Sequence, residues 1–129
     1  MRSIIVLGAM LALSAAMHAD DHFESHLTHT VFFDLNDDDP AAVQALVDGC
    51  YKYLAPHDGI VYFSAGARQA DYQRDVNDLD FDVALTIVFE NTVAQDAYQV
   101  TEPHMQFIEE FNANWERVRV FDSLAPGAE

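Results

Sequence analysis

The chain has 129 residues, half of them hydrophobic, with 22 acidic residues against 6 basic ones and a formal net charge of -16. That length makes one domain, with ample apolar content for a core. Such a charge repels phosphate backbones and anionic membrane surfaces, which excludes nucleic acid as a natural partner; a solvated acidic surface and a cation-rich environment both account for it.

Residues 1–19, MRSIIVLGAMLALSAAMHA, carry Arg2, an apolar run from Ile4 to Leu13 and then small residues, the layout of a secretory signal peptide. A run of about ten residues is too short to cross about 30 Å of hydrocarbon as a helix. Cleavage after Ala19 and after Ala16 both fit, and no Cys stands there to take a lipid. The mature protein is thus expected to be exported, periplasmic or secreted, with no membrane association once the leader is cut. The single Cys50 cannot form an internal disulfide, and its helical spacing suits a buried apolar role.

Residues 20–26 read as a flexible acidic segment with histidines, His18, His22, His26 and His29 lying close together in sequence. If cleavage follows Ala19, the terminus Asp20-Asp21-His22 offers an amine, two backbone amides and an imidazole in the square plane that suits Cu(II) or Ni(II). The alternative is an acidic tail with incidental histidines. There is no zinc pattern with Cys support, and no residue pattern asks for another cofactor.

From His26 the chain alternates, with Leu27, His29, Val31, Phe33 and Leu35 on one strand face. His29 thereby joins an apolar stripe, as a satisfied core histidine or as a pocket group. Asn36-Asp37-Asp38-Asp39-Pro40 ends that strand and opens a helix, with Asp39 as N-cap and Pro40 at the first helical position. Val43, Leu46, Val47, Cys50 and Leu54 form its buried stripe, and Tyr51 borders it, facing a cavity or its rim. The helix stops by Ala55-Pro56. A turn at His57-Asp58-Gly59 leads to a strand, IVYFSAGAR, in which Gly66 marks a bulge or a close approach.

After the polar run Gln69–Asp80 comes the clearest strand, with Val83, Leu85, Ile87 and Phe89 on one face and Ala84, Thr86 and Val88 on the other. Both faces need cover. Thr92 to Gln95 fits a capping box, Thr92 as N-cap, starting a helix at Val93. Pro103 and the restricted Glu102 before it break the helix near Thr101 and start another at Pro103. That second helix places His104, Phe107, Ile108, Phe111 and Trp115 along one side, and RVRVFDSL is a last strand with Val118 and Val120 opposed to Arg117, Arg119 and Phe121.

The chemistry-bearing stretch is Tyr98 to Trp115. A His104 in a first helical turn feels the positive end of the helix dipole and an apolar lining, both of which favour neutral imidazole able to accept a proton. A tyrosine hydroxyl one kink away, Tyr98, can donate a hydrogen bond to a carbonyl on which charge develops. The pair suits proton abstraction next to a carbonyl, and equally the polar trim of an apolar pocket.

The element order predicts an α+β, ferredoxin-like β-α-β-β-α-β domain with a four-stranded antiparallel sheet. Helices on one face leave an apolar second face, which a second copy related by a two-fold axis covers, giving a homodimer.

The segments HTVFF at 29–33, VALTIVFEN at 83–91, AYQVTEPHMQF at 97–107 and NWERVRVFD at 114–122 together resemble the stress-responsive A/B barrel family of the dimeric α+β barrel superfamily. The resemblance places the domain at 27–124, with 125–129 as tail. It implies two-fold pairing into a barrel and a pocket between sheet and helices for a small apolar or aromatic ligand. Tyr98 and His104 match the catalytic Tyr and His of the family's plant polyketide cyclase, with the same spacing. His29, Val31 and Phe33 match its pocket-lining first strand, and Tyr51 and Trp115 match pocket aromatics. Leu85, Ile87 and Phe107 complete the expected lining with Val83, which stands where that enzyme has a histidine. Pro103 also directly precedes His104 here instead of standing two residues before it.

Overall fold

A computed structural model describes residues 25–126. The signal peptide, its cleavage site and the His22 terminal metal site lie outside the described residues.

Ten residues of strict alternation build the first strand, β1 (His26–Leu35), in which every second side chain from Leu27 to Leu35 is buried. It is followed by α1 (Pro40–Gly49), a five-residue π-turn (Cys50–Leu54), β2 (Ile60–Ala67), β3 (Val83–Phe89), α2 (Thr92–Gln99), α3 (Glu102–Phe111), a 3-10 turn (Asn112–Asn114) and β4 (Trp115–Ala125). The strands form one antiparallel sheet in the order β2-β3-β1-β4. This is the ferredoxin-like α+β fold, with the second helix broken in two at Val100–Thr101, so that α3 starts at Glu102, one residue before the expected Pro103.

The core lies between one sheet face and the helices. Leu27, Val31, Phe33 and Leu35 from β1 and Val83, Leu85, Ile87 and Phe89 from β3 meet Leu46, Cys50, Leu54, Tyr98 and Phe107. Two glycines have steric work to do. A Cβ on Gly49 would stand 2.3 Å from the Phe111 ring, so its absence lets the end of α3 close onto α1. Gly59 has φ 83° and carries the turn into β2, where a Cβ would meet the Ala94 Cβ at 2.6 Å.

Several local expectations are corrected. The N-cap of α2 is Asn91, whose Oδ1 accepts from Ala94 N at 2.8 Å, so the helix begins at Thr92 instead of being capped by it. Asp39 does occupy the N-cap of α1, but its side chain makes no capping hydrogen bond. The α1 helix widens into the π-turn, with Ala55 N donating to Cys50 O at 3.2 Å, five residues back. Gly66 pairs regularly with Ala84 and has open space around it; the irregularity in β2 lies between Ile60 and Tyr62. Trp115 is the first residue of β4 and not part of a helix.

Candidate functional site

The β1–β3 pair lies under the helices, whereas β4 is an edge strand whose inward Val118 and Val120 remain 38% and 50% exposed. Between that edge and α3 lies a partly open cavity of about 180 Å³. It is lined by His29, Val31 and Phe33 of β1, Leu54 of the π-turn, Leu85 of β3, Tyr98 and Gln99 of α2, His104, Phe107 and Ile108 of α3, and Trp115, Val118 and Val120 of β4. A cavity of roughly 150 Å³ suffices for benzene, so this one takes a single aromatic ring.

Its polar groups are fixed from four elements. Thr101 caps α3 by accepting the His104 N–H at 3.4 Å, and Pro103 fills the first turn, which sets His104 against the C-terminal end of α2. The rings of Tyr98 and His104 meet edge-on at 4.8 Å, and Tyr98 also packs on Phe89 at 5.0 Å. Trp115 is located by Asn114, which clasps the β1–α1 connection. Asn114 O accepts from Asn36 N at 2.8 Å, its Oδ1 accepts from Asp37 N at 2.8 Å, and its Nδ2 donates to Asp37 O at 2.9 Å. Trp115 then tilts onto Phe33 and Phe107 at 5.1 and 5.7 Å.

His29, 6% exposed, places Nδ1 2.6 Å from Asp122 Oδ1 across β1 and β4. A carboxylate only accepts, so Nδ1 carries a proton and, in the neutral ring, Nε2 is left as the basic nitrogen.

Electrostatics separate the other two polar groups. Burial, followed by the neighbouring His29 and His57, pushes the His104 pKa below that of an ordinary histidine, against a weaker opposite pull from the Gln99 backbone. Its Nδ1 is buried without a hydrogen-bond partner, so a second ring proton there would lack an acceptor. Burial pushes the Tyr98 phenol well above the usual tyrosine range, with Cys50 adding to it. The cavity therefore holds an imidazole disposed to stay neutral beside a phenol disposed to stay protonated. One can accept a proton and the other can donate a hydrogen bond.

Of the residues singled out from sequence, Tyr98, His104, His29, Val31, Phe33, Leu85, Phe107 and Trp115 come together around this space. Three do not. Val83 and Ile87 are fully buried in the packed core, and Tyr51 is 48% exposed, its ring on Phe63 and its hydroxyl accepting from Ala65 N at 3.2 Å. β3 presents all its inward residues to the helices, but only Leu85, the register partner of Val31, lies at the cavity. Sequence reading passed over Leu54, Gln99, Ile108, Val118 and Val120 on the lining, and Asp122 behind His29. Extending the Val118, Val120 alternation by one step puts a carboxylate on an apolar stripe, which was the available signal. Among the described residues no group of three or more His, Cys, Asp or Glu is placed to hold a metal ion.

Such an architecture defines an α+β domain of ferredoxin-like fold with an apolar, imidazole-bearing cavity between sheet and helices. The chain belongs to the stress responsive A/B barrel domain family, Dabb, whose model matches residues 27–125. Among curated proteins none matches the chain significantly. Similar solved structures include a dimeric ferredoxin-like protein of unknown function from Thermobifida fusca, with TM-score 0.67 and 16% identity, over 83% of this chain and 98% of that one. A Dabb family protein from Mesorhizobium loti has TM-score 0.64 and 17% identity, over 78% and 96% of the two chains. The hydroxynitrile lyase of Passiflora edulis has TM-score 0.64 and 15% identity, over 81% and 96%. At these identities the likeness is one of fold.

Proposed function

We propose that the domain binds a small apolar or aromatic molecule, about one ring in size, in the cavity between β1, β4 and α3. The observation that carries this reading is the cavity itself, about 180 Å³ with mostly hydrocarbon walls and with His29, Tyr98, Gln99 and His104 among its lining residues. Titration of the protein with toluene and phenol, followed by amide and indole NMR shifts, tests it. Saturable shifts at Trp115 and His104 are expected, and their absence with both probes defeats the reading.

A second reading is favoured by the opposed electrostatics of His104 and Tyr98. In it the site is a cofactor-independent cyclase- or lyase-type enzyme, His104 removing a proton next to a carbonyl while Tyr98 hydrogen-bonds the oxygen. Positioned acid–base help of this kind is worth about 10²–10⁴-fold in rate. The test is α-proton exchange of an aryl methyl ketone in deuterated buffer. His104→Ala and Tyr98→Phe should each abolish any catalysed exchange while leaving the fold intact; unchanged rates in both variants exclude the reading.

The outer sheet face supports pairing as a homodimer into a closed α+β barrel. Phe32 on that face stacks edge-on with Phe81 and Phe121 at 5.0 and 5.9 Å, while Tyr62 and Phe121 are 57% and 55% exposed. The dimeric description of the Thermobifida fusca structure points the same way. Sedimentation of the wild type and of Phe121→Glu tests it, with a dimer expected only for the former. The leader-like residues 1–19 support export to the periplasm or medium, which N-terminal sequencing of the protein from its native source checks.

A further inference from the structure

His57 stands outside the cavity lining, behind Tyr98, and none of the roles above uses it. It is partly buried, its ring lies edge-on to Tyr98 at 4.9 Å, and both of its nitrogens are engaged. Nδ1 lies 2.9 Å from Leu54 O at the end of the π-turn, and Nε2 lies 2.8 Å from Thr101 Oγ1 in the elbow between α2 and α3. A single side chain thus ties the π-turn to the elbow that holds Tyr98 and His104.

Counting protons assigns its state. A carbonyl only accepts, so Nδ1 carries a proton. Thr101 Oγ1 has one proton and three neighbours: His57 Nε2, the Tyr98 carbonyl oxygen at 3.0 Å, and the His104 N–H at 3.4 Å, which can only donate. With a neutral His57, the one hydroxyl proton serves either Nε2 or the Tyr98 carbonyl, and the other contact, at 3.0 or 2.8 Å, is left with no proton between its atoms. With imidazolium, Nε2–H donates to Oγ1 and the hydroxyl donates onward to the carbonyl, so every close contact is a hydrogen bond. The Tyr98 carbonyl also accepts Thr101 N at 3.2 Å, which leaves the hydroxyl geometry as the discriminating feature.

We infer that His57 is a positioning residue: holding a proton on each ring nitrogen, it closes a relay through Thr101 to the Tyr98 carbonyl that fixes the α2–α3 elbow on which Tyr98 and His104 sit. The titratable groups gathered around it and around Tyr98 are His29 from β1, Cys50 from the π-turn, Tyr98 from α2 and His104 from α3, with exposed Asp58 next in the chain. Burial is the main reason that His104 binds its proton weakly, and His29 and then His57 add to it, so a change at His57 is read at His104. The inference rests on His104 being a working group of the cavity, but its test needs no ligand.

The measurement is side-chain ¹⁵N NMR of the histidines across about pH 5 to 8, the range in which imidazoles change charge. In the wild type, His57 should show two protonated nitrogens at a pH where His104 is still neutral. His57→Gln removes the charge and should raise the His104 midpoint by roughly half a pH unit. Thr101→Val, which deletes the relay hydroxyl, should move it the same way, while Thr101→Ser should leave it at the wild-type value. A merely structural His57 would change stability without moving the His104 midpoint. If His57→Gln does not fold, the Thr101 pair carries the test. A singly protonated His57 at that pH, or a His104 midpoint unmoved in every folded variant, overturns the inference. Failure of toluene and phenol to bind, with these titrations as expected, would instead overturn the cavity reading alone.

Discussion

His29 and Asp122 are register partners across β1 and β4, and the 2.6 Å contact between them places a carboxylate behind an almost fully buried imidazole at the cavity wall. Asp122 is 47% exposed, so the Coulombic part of the pair is worth no more than a surface ion pair, under about 1 kcal/mol. The larger effect is hydrogen bonding. Asp122→Ala leaves a buried Nδ1–H without an acceptor and should cost about 1–3 kcal/mol in urea unfolding. Asp122→Asn keeps an acceptor oxygen and should retain most of that stability. Equal losses in the two variants would show that the contact does not orient His29.

The start of α2 discriminates between two adjacent capping candidates. Because Asn91 Oδ1 makes the bond to Ala94 N, Asn91→Ala should destabilise by about 1 kcal/mol. Thr92→Ala, inside the first turn, should stay within about 0.5 kcal/mol of wild type. Thermal unfolding of the two single variants gives the answer directly.

Gly49 and Phe111 form a second testable pair. Ala favours a helix over Gly by about 1 kcal/mol, yet a Cβ at position 49 meets the Phe111 ring at 2.3 Å. Overpacking of this kind costs about 1–3 kcal/mol, so Gly49→Ala should be destabilising on balance. Combining it with Phe111→Leu should recover part of the loss. A double-mutant cycle with no coupling would refute the contact.

Stability should fall on both sides of neutrality for separate reasons. His104 binds its proton more weakly when folded than an unfolded histidine near 6.5, so the unfolded state takes up more protons as pH drops below that value and stability is lost there. His104→Gln should flatten this limb between about pH 5 and 7, apart from the carboxylate titrations below it. On the alkaline side, burial pushes the Cys50 thiol from 9.0 up to about 12, with Tyr98 raised as well. Unfolded chains lose these protons first, so stability declines as pH rises through that window, and Cys50→Ala should make the decline shallower. Melting temperatures across pH, wild type against each variant, check both signs.

Most of the fold was legible along the chain because its strands are regular. The alternation in β1 and β3 put the right faces inward, and Pro103 located the break that brings Tyr98 beside His104. Local periodicity was less informative where neighbouring signals competed. Asn91 and Thr92 are both good caps, and only backbone geometry chose between them. The helical spacing of Phe107, Phe111 and Trp115 continued past the point where α3 ends, so Trp115 looked helical although it opens β4.

Which residues are apolar, where turns must fall and which side chains can carry a proton are legible along the chain, since these depend on side-chain type and short-range backbone sterics. Three-dimensional packing sets Asp122 behind His29, brings His57 to Thr101, and gives Leu85 to the cavity while Val83 and Ile87 stay in the core. Those relationships join residues 93 and 44 positions apart, or distinguish positions within one strand by what packs above them. Strand register and helix placement set them, and no local pattern encodes either.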